Sequence, residues 1–132
     1  MTASPTCVLD ASALLAVLNN EPGGPNVLDV LGGALLSAVN WSEIVQKSLE
    51  SGIAASPSRL RRDVEGLGVT IVPFGAEDAE LAAQLRSSTQ ILGLSLADRA
   101  CLALAARTDL PALTADRAWA GLDVGIRVRL FR

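Results

Sequence analysis

Short apolar runs alternate with longer helical stretches along almost the whole chain, and this alternation restricts the fold. Runs of strand length lie at 6–10, 35–39, 69–73, 111–114 and 126–131. Helical periodicity fills most of the intervals between them. Strands that alternate with helices form parallel sheets covered by helices. The sequence therefore predicts an α/β fold with a single doubly wound parallel sheet flanked by helices.

Length and composition predict one domain spanning residues 1–132. A chain of 132 residues suits a single core, which buries roughly two-thirds of the surface exposed on unfolding. Half of the residues are hydrophobic and only 3% are aromatic, so the core is aliphatic. Pro and Gly mark turns such as EPGGP at 21–25, but no linker or internal repeat appears.

The charge balance gives no strong attraction to a phosphate backbone. The net charge is −3, and ten of the eleven basic residues are Arg, which fits phosphate pairing and high-GC coding bias about equally. The sequence shows no secretory leader and no bilayer-length apolar run, so we expect a cytoplasmic protein with no membrane partner. Cys7 and Cys101 lack metal-ligand spacing and are expected to be buried, reduced thiols.

Four acidic residues stand at the boundaries of hydrophobic runs spread across the sequence: Asp10, Glu43, Asp98 and Asp116. Asp10 and Asp116 directly follow the carboxyl ends of predicted strands. Glu43 lies one turn into a helix after the second strand, and Asp98 lies near the start of a later helix. Because ligand sites of doubly wound sheets lie beyond the carboxyl ends of the strands, we expect these carboxylates to converge.

Converging carboxylates predict a divalent metal site. Two like charges 4 Å apart repel by about 4 kcal/mol at an effective dielectric near 20, and a cation relieves this repulsion. All-oxygen ligands favour Mg²⁺ or Mn²⁺ over zinc. The chain has no His and no Tyr, so the usual general base and phenolic acid are missing. Metal-activated water attacking a phosphodiester is the reaction class that this composition favours.

Each acid also has a structural explanation. Asp10 and Asp116 are placed to cap the helical turns that follow them, which stabilises by about 1 kcal/mol. Two pairs have the cap-plus-three spacing of a capping box: Asn40 with Glu43, and Ser95 with Asp98. Taken singly, each acid is explained by capping, whereas their joint placement favours a shared site.

The segments VLDASALLA, NWSEI, GLSLADRACLALA and LPALTADRAW resemble the PIN-domain family, and within it the VapC-type toxin branch. The resemblance spans nearly the full chain and implies a three-layer PIN-like fold with a central parallel sheet. It implies a Mg²⁺- or Mn²⁺-dependent endoribonuclease of a toxin–antitoxin pair. The family's acidic positions match Asp10, Glu43, Asp98 and Asp116, and Ser12 and Thr114 match its supporting hydroxyls.

The resemblance also implies products and partners. Cleavage would leave a 5′-phosphate and a 3′-hydroxyl, with transfer RNA as the family-level substrate. A VapB-type antitoxin would inhibit a homodimer by placing a basic side chain near the acidic pocket. One departure from the family pattern is that Ala118 and Trp119 follow Arg117, where relatives often carry another acid or hydroxyl. This argues against a fully occupied second metal site.

Several residues near the acids are candidates for substrate contact. Arg99 and Arg117 each follow a proposed metal ligand, although a solvent-facing or acid-paired arginine explains them slightly better. Trp119 is the better candidate for stacking on a base, whereas the apolar surroundings of Trp41 predict a core position.

Other protein classes fit the sequence less well. A phosphoacceptor receiver domain needs a late lysine, but the only lysine is Lys47, and a haloacid-dehalogenase phosphatase needs an Asp where Ser12 stands. No glycine-rich phosphate loop is present. The remaining alternative is a catalytically silent PIN-like module that binds RNA or regulates a partner.

Overall fold

The computed structural model describes residues 4–132, which form five strands and six α-helices, with two short 3₁₀ helices. The strands are β1 (Val8–Leu9), β2 (Leu35–Ser37), β3 (Thr70–Val72), β4 (Ala112–Thr114) and β5 (Val128–Leu130). The helices are α1 (Ala11–Leu18), α2 (Gly24–Leu28), α3 (Ala38–Glu50), α4 (Pro57–Gly66), α5 (Ala76–Thr89) and α6 (Leu96–Thr108). The 3₁₀ helices span Gln90–Leu92 and Arg117–Gly121.

All five strands are parallel, in the order β3-β2-β1-β4-β5. The chain builds outward from β1 to β2 and β3, then returns to the other side of β1 to place β4 and β5. The strand order therefore reverses between β1 and β4, which pair through Val8 with Ala112 and Leu9 with Leu113. Sheets of this type bind ligands at such a switch point.

Helices cover both faces of the sheet, because successive side chains of each strand point to opposite sides. Leu9 and Leu113 join one buried cluster, which includes side chains of α1, α3 and α4. Val8 and Ala112 join the other cluster, with α5, α6 and Trp119. The three-layer fold with a central parallel sheet is thus confirmed. The cysteines Cys7 and Cys101 are buried and unpaired, also as expected.

The start of α3 differs from the prediction that Asn40 caps this helix. Ser37 is the N-cap, and its hydroxyl accepts a hydrogen bond from the Val39 amide. Because β2 ends at Ser37, the chain passes into α3 without a loop. Asn40 therefore lies inside the first turn, buried, and the Asn40–Glu43 capping box is wrong.

None of the helices within residues 4–132 combines the length and the hydropathy that crossing a bilayer requires.

Candidate active site

The four acids that the sequence singles out line one pocket at the switch point between β1 and β4. Asp10 follows β1, Asp116 follows β4, Glu43 projects from α3 and Asp98 from α6. The pocket has a volume of about 520 Å³ and also includes Asn40, Lys47 and Glu21 in its wall. Segments more than 100 residues apart in sequence therefore contribute carboxylates to a single cavity.

The carboxylate of Asp10 is held by three hydrogen bonds. Its Oδ1 accepts from the Ser12 hydroxyl at 2.7 Å and from the Ala13 amide at 2.9 Å. Its Oδ2 accepts from the Thr114 hydroxyl at 2.6 Å. Asp10 thus caps α1, as expected, while Oδ2 keeps one lone pair without a partner in the described chain.

Ser12 and Thr114 connect the end of β4 to Asp10. The Ser12 hydroxyl accepts from the Ala115 amide at 3.1 Å, and the Thr114 hydroxyl accepts from the Asp116 amide at 3.0 Å. Each hydroxyl therefore receives a backbone hydrogen bond from the β4 loop and donates its own proton to Asp10. This arrangement fixes the Asp10 carboxylate relative to the loop that carries Asp116.

Asp98 and Asp116 use only one carboxylate oxygen for capping. Asp98 and Ser95 form a complete capping box, in which Asp98 Oδ2 accepts from the Ser95 amide at 3.0 Å. Asp116 Oδ1 accepts from the Ala118 amide at 3.0 Å. Both caps were predicted, and in residues 4–132 the second oxygen of each carboxylate forms no recorded hydrogen bond. Capping and ligand binding are therefore compatible in these residues.

Glu43 has a basic neighbour that the sequence reasoning did not connect to the site. Lys47 Nζ lies 3.6 Å from Glu43 Oε2, one helical turn away on α3. The i,i+4 spacing of the two residues was a visible signal for this pairing. The only lysine in the chain thus lies in the wall of the acidic pocket.

Burial raises the pKa of Asp10 above its ordinary value. The hydrogen bonds from Ser12, Thr114 and Ala13 counteract this rise, whereas the negative charge of Asp98 adds to it. Burial, followed by the charges of Asp10 and Asp98, also raises the pKa of the Cys101 thiol, which is buried in α6. The site therefore has a net excess of negative charge that a cation would neutralise.

The residues present fit a Mg²⁺ or Mn²⁺ ion bound partly through water. Within residues 4–132, no three carboxylates lie close enough together to hold one ion directly. Mg²⁺ does not need such a cage, because it keeps several waters and binds through one or two carboxylates together with substrate phosphates. Asp98 and Asp116 each offer an unused oxygen, Asp10 offers one unused lone pair of Oδ2, and the all-oxygen set is the one that these ions prefer.

None of the three proposed substrate contacts, Arg99, Arg117 and Trp119, lines the pocket. Trp119 is 1% exposed and packs in the core, so the prediction that it stacks on a base is wrong. Arg99 is half-buried and donates to the Ala82 carbonyl of α5 at 2.8 Å, instead of facing solvent or an acid. Arg117 is exposed. Trp41 packs against the core, as expected.

Comparison with known proteins identifies the family. The PIN-domain family matches residues 7–124, which include all four acids of the pocket. The chain belongs to the PIN-domain family. Members of this family are generally nucleases. No curated protein sequence is significantly similar to the chain.

Solved structures share the fold of this PIN domain at low sequence identity. A toxin–antitoxin complex from Klebsiella pneumoniae matches with a TM-score of 0.74 and 19% identity, over 96% of this chain and 98% of that one. DNA-bound VapBC from Salmonella typhimurium matches with a TM-score of 0.73 and 16% identity, over 97% and 99%. FitAcB from Neisseria gonorrhoeae matches with a TM-score of 0.61 and 22% identity, over 93% and 96%.

Proposed function

We propose that this PIN domain is a Mg²⁺- or Mn²⁺-dependent endoribonuclease and the VapC-type toxin of a toxin–antitoxin pair. The observation that carries the proposal is the convergence of Asp10, Glu43, Asp98 and Asp116 on one pocket at the switch point of the sheet. Capping explains Asp10, Asp98 and Asp116 one at a time, but it gives no reason for their carboxylates to share a cavity with that of Glu43.

In this mechanism the four carboxylates would hold the cation together with its retained waters, one or two of them by direct contact, and Ser12 and Thr114 orient the most buried carboxylate, that of Asp10. A bound divalent ion lowers the pKa of water and neutralises charge on a phosphate. Asp10 is locked by its three hydrogen bonds and presents one unused lone pair of Oδ2. Asp98 and Asp116 present their uncapped oxygens, and Glu43 completes the acidic wall opposite them.

RNA is the proposed substrate, with transfer RNA as the family-level choice. A chain without histidine lacks the side-chain acid and base that attack by a neighbouring 2′-hydroxyl usually requires. Hydrolysis by metal-activated water avoids this requirement and leaves a 5′-phosphate and a 3′-hydroxyl. The product end that carries the phosphate therefore distinguishes attack by metal-activated water from attack by the neighbouring 2′-hydroxyl.

The proposed partners are a VapB-type antitoxin and a second copy of the chain. The similarity to VapBC and FitAB assemblies supports an antitoxin partner. An antitoxin could inhibit by placing a cation in the acidic pocket. Lys47 beside Glu43 shows that an ammonium group is accommodated there.

The competing proposal is a catalytically silent PIN-like module that binds RNA or regulates a partner. The lack of three closely spaced carboxylates within residues 4–132 is the observation that supports it. The two proposals differ in one respect that can be measured, because only the nuclease turns over RNA in a metal-dependent way.

The deciding experiment is cleavage of total cellular RNA by the purified chain with Mg²⁺ or Mn²⁺, with and without EDTA, alongside Asp98→Asn. An asparagine keeps an oxygen to accept from the Ser95 amide, so the variant should fold while losing the charge. Asp63→Asn is the matched control, because Asp63 is an exposed acid of α4 outside the pocket.

We expect cleavage that requires the metal, leaves 5′-phosphates, persists in Asp63→Asn and falls by at least 100-fold in Asp98→Asn, comparable to the loss of a single strong transition-state contact. EDTA-resistant cleavage would contradict the metal mechanism. If folded, metal-binding protein cleaves none of a broad RNA pool, the silent module is favoured instead.

A further inference from the structure

One polar side chain in the pocket wall has no role in the mechanism described above. Asn40 is 2% exposed and lines the same cavity as the four acids. It lies on α3 one turn before Glu43. A buried asparagine inside a helix is costly unless its amide group is hydrogen-bonded, so both ends of its side chain need an explanation.

The amide nitrogen of Asn40 joins the two helices that carry acids. Its Nδ2 donates to the Ala97 carbonyl of α6 at 3.0 Å, and Ala97 directly precedes Asp98. This hydrogen bond joins the turn of α3 that carries Glu43 to the turn of α6 that carries Asp98. Since the Ala97 carbonyl can only accept a hydrogen bond, the orientation of the Asn40 amide is fixed with its nitrogen toward α6.

The amide oxygen of Asn40 is left without a partner. Oδ1 is buried and accepts no hydrogen bond from the described chain. The carboxylates that line the same pocket, when ionised, are acceptors only and have no proton to donate to it. A donor bound against the pocket wall would satisfy this oxygen, and the waters that a Mg²⁺ or Mn²⁺ ion retains are such donors.

We infer that Asn40 is a positioning residue of the metal site, whose oxygen accepts a hydrogen bond from a water molecule bound to the divalent cation. The inference rests on the proposed metal-dependent function and extends it to a neutral residue. Its nitrogen holds α3 against α6, and its oxygen orients the ion's water shell without adding negative charge. Partners of this outer-shell kind typically change metal affinity by about 10–100-fold.

The test is the dissociation constant of Mn²⁺, measured by calorimetry on the RNA-free chain, together with the melting temperature in EDTA. Asn40→Leu has a side chain of similar size; it removes the unpartnered oxygen, which favours stability, and the hydrogen bond to the Ala97 carbonyl, which opposes it, so that the two effects largely offset each other. We expect Mn²⁺ to bind about tenfold more weakly or worse, with a melting temperature in EDTA close to that of the wild type.

Ser48→Ala is the matched control. Ser48 is also buried on α3, and its hydroxyl also has no partner in the described chain, but it does not line the pocket. Its replacement should leave Mn²⁺ affinity unchanged. If Asn40→Leu does not fold, Asn40→Ala removes the same amide without a branched side chain and carries the same expectation.

The outcomes separate the inference from the function on which it rests. A lower melting temperature in EDTA with unchanged Mn²⁺ affinity would show that Asn40 only joins the two helices, and the inference would be wrong. Wild-type protein that binds no Mn²⁺ would overturn the inference together with the proposed metal site. Wild-type binding that survives in both Asn40 variants would overturn the inference alone.

Discussion

At the scale of single residues, Asp10 has an environment that disfavours its charge and hydrogen bonds that favour it. Burial raises its pKa, and the donors from Ser12, Thr114 and Ala13 do not fully compensate. Such a carboxylate destabilises the metal-free fold when ionised, and a bound cation would relieve the cost. At this position the proposed site thus lowers the stability of the metal-free fold and strengthens metal binding.

Asp10→Asn should therefore stabilise the metal-free protein at neutral pH, by a few degrees in melting temperature, while abolishing Mn²⁺ binding. Because the pKa of Asp10 is raised in the fold, protonated Asp10 contributes its full stabilisation at pH values below the ordinary pKa of Asp. That contribution is lost as pH rises through the folded-state pKa. The melting-temperature advantage of the variant should accordingly widen with rising pH. Thermal scans in EDTA between about pH 4 and pH 8 measure it.

Asp63→Asn serves as the comparison for these scans, since Asp63 is exposed. The difference in melting temperature between Asp63→Asn and the wild type should not increase over the same pH range. A difference for Asp10→Asn that stays constant or narrows with rising pH would show that the hydrogen bonds outweigh burial at Asp10.

At the scale of elements, the N-terminal turn of α6 combines a cap with a proposed ligand. Ser95→Ala removes the hydroxyl that accepts from the Asp98 amide at 3.1 Å and should cost about 1 kcal/mol of stability. Because the same turn positions Asp98, Mn²⁺ affinity should fall by about tenfold as well. Denaturant unfolding and calorimetry measure the two effects separately.

Ser56→Ala gives the matched comparison for α6. Ser56 caps α4 by accepting from the Arg59 amide at 3.3 Å, and it lies outside the pocket. The two variants should lose similar stability, but only Ser95→Ala should bind Mn²⁺ more weakly. Equal Mn²⁺ affinities would mean that the cap does not position Asp98.

Helix caps depend on local chemistry and were predicted from the sequence, whereas features that depend on packing were not. The caps at Asp10, Ser95 and Asp116 follow from side chains that compete for backbone amides. The same local logic misplaced Asn40, because it could not show that Ser37 already starts α3.

Trp119 illustrates the second limit of prediction from sequence. Its sequence neighbours are less apolar than those of Trp41, which made an exposed aromatic plausible, but the 3₁₀ turn places the indole in the cluster of α5 and α6. Burial there depends on contacts with residues distant in sequence. The resemblance gave Thr114 only as a supporting hydroxyl near the last acid, and its pairing with Asp10 was not predicted, since 104 residues separate them.

At the scale of the whole molecule, the C-terminal residues connect the edge of the sheet to the pocket wall. The family match ends at residue 124, yet β5 lies beyond it and pairs with β4. Phe131 is buried against Gly23, where a Cβ would lie 2.7 Å from the Phe131 carbonyl oxygen. Arg132 pairs with Glu21 of the pocket wall at 3.2 Å. The C-terminal residues are therefore connected to the pocket wall.

Metal binding should consequently stabilise the whole fold, since Asp10 and Asp116 come from opposite ends of the chain and converge only in the native state. An ion that binds the native state alone adds about 2.7 kcal/mol at 100 times its dissociation constant. For a domain of this size, that is a rise of roughly 10 °C in melting temperature. Thermal scans with Mn²⁺ and with EDTA measure the shift. It should persist in Asp63→Asn and disappear in Asp98→Asn, whereas an equal shift in both variants would place the ion elsewhere on the molecule.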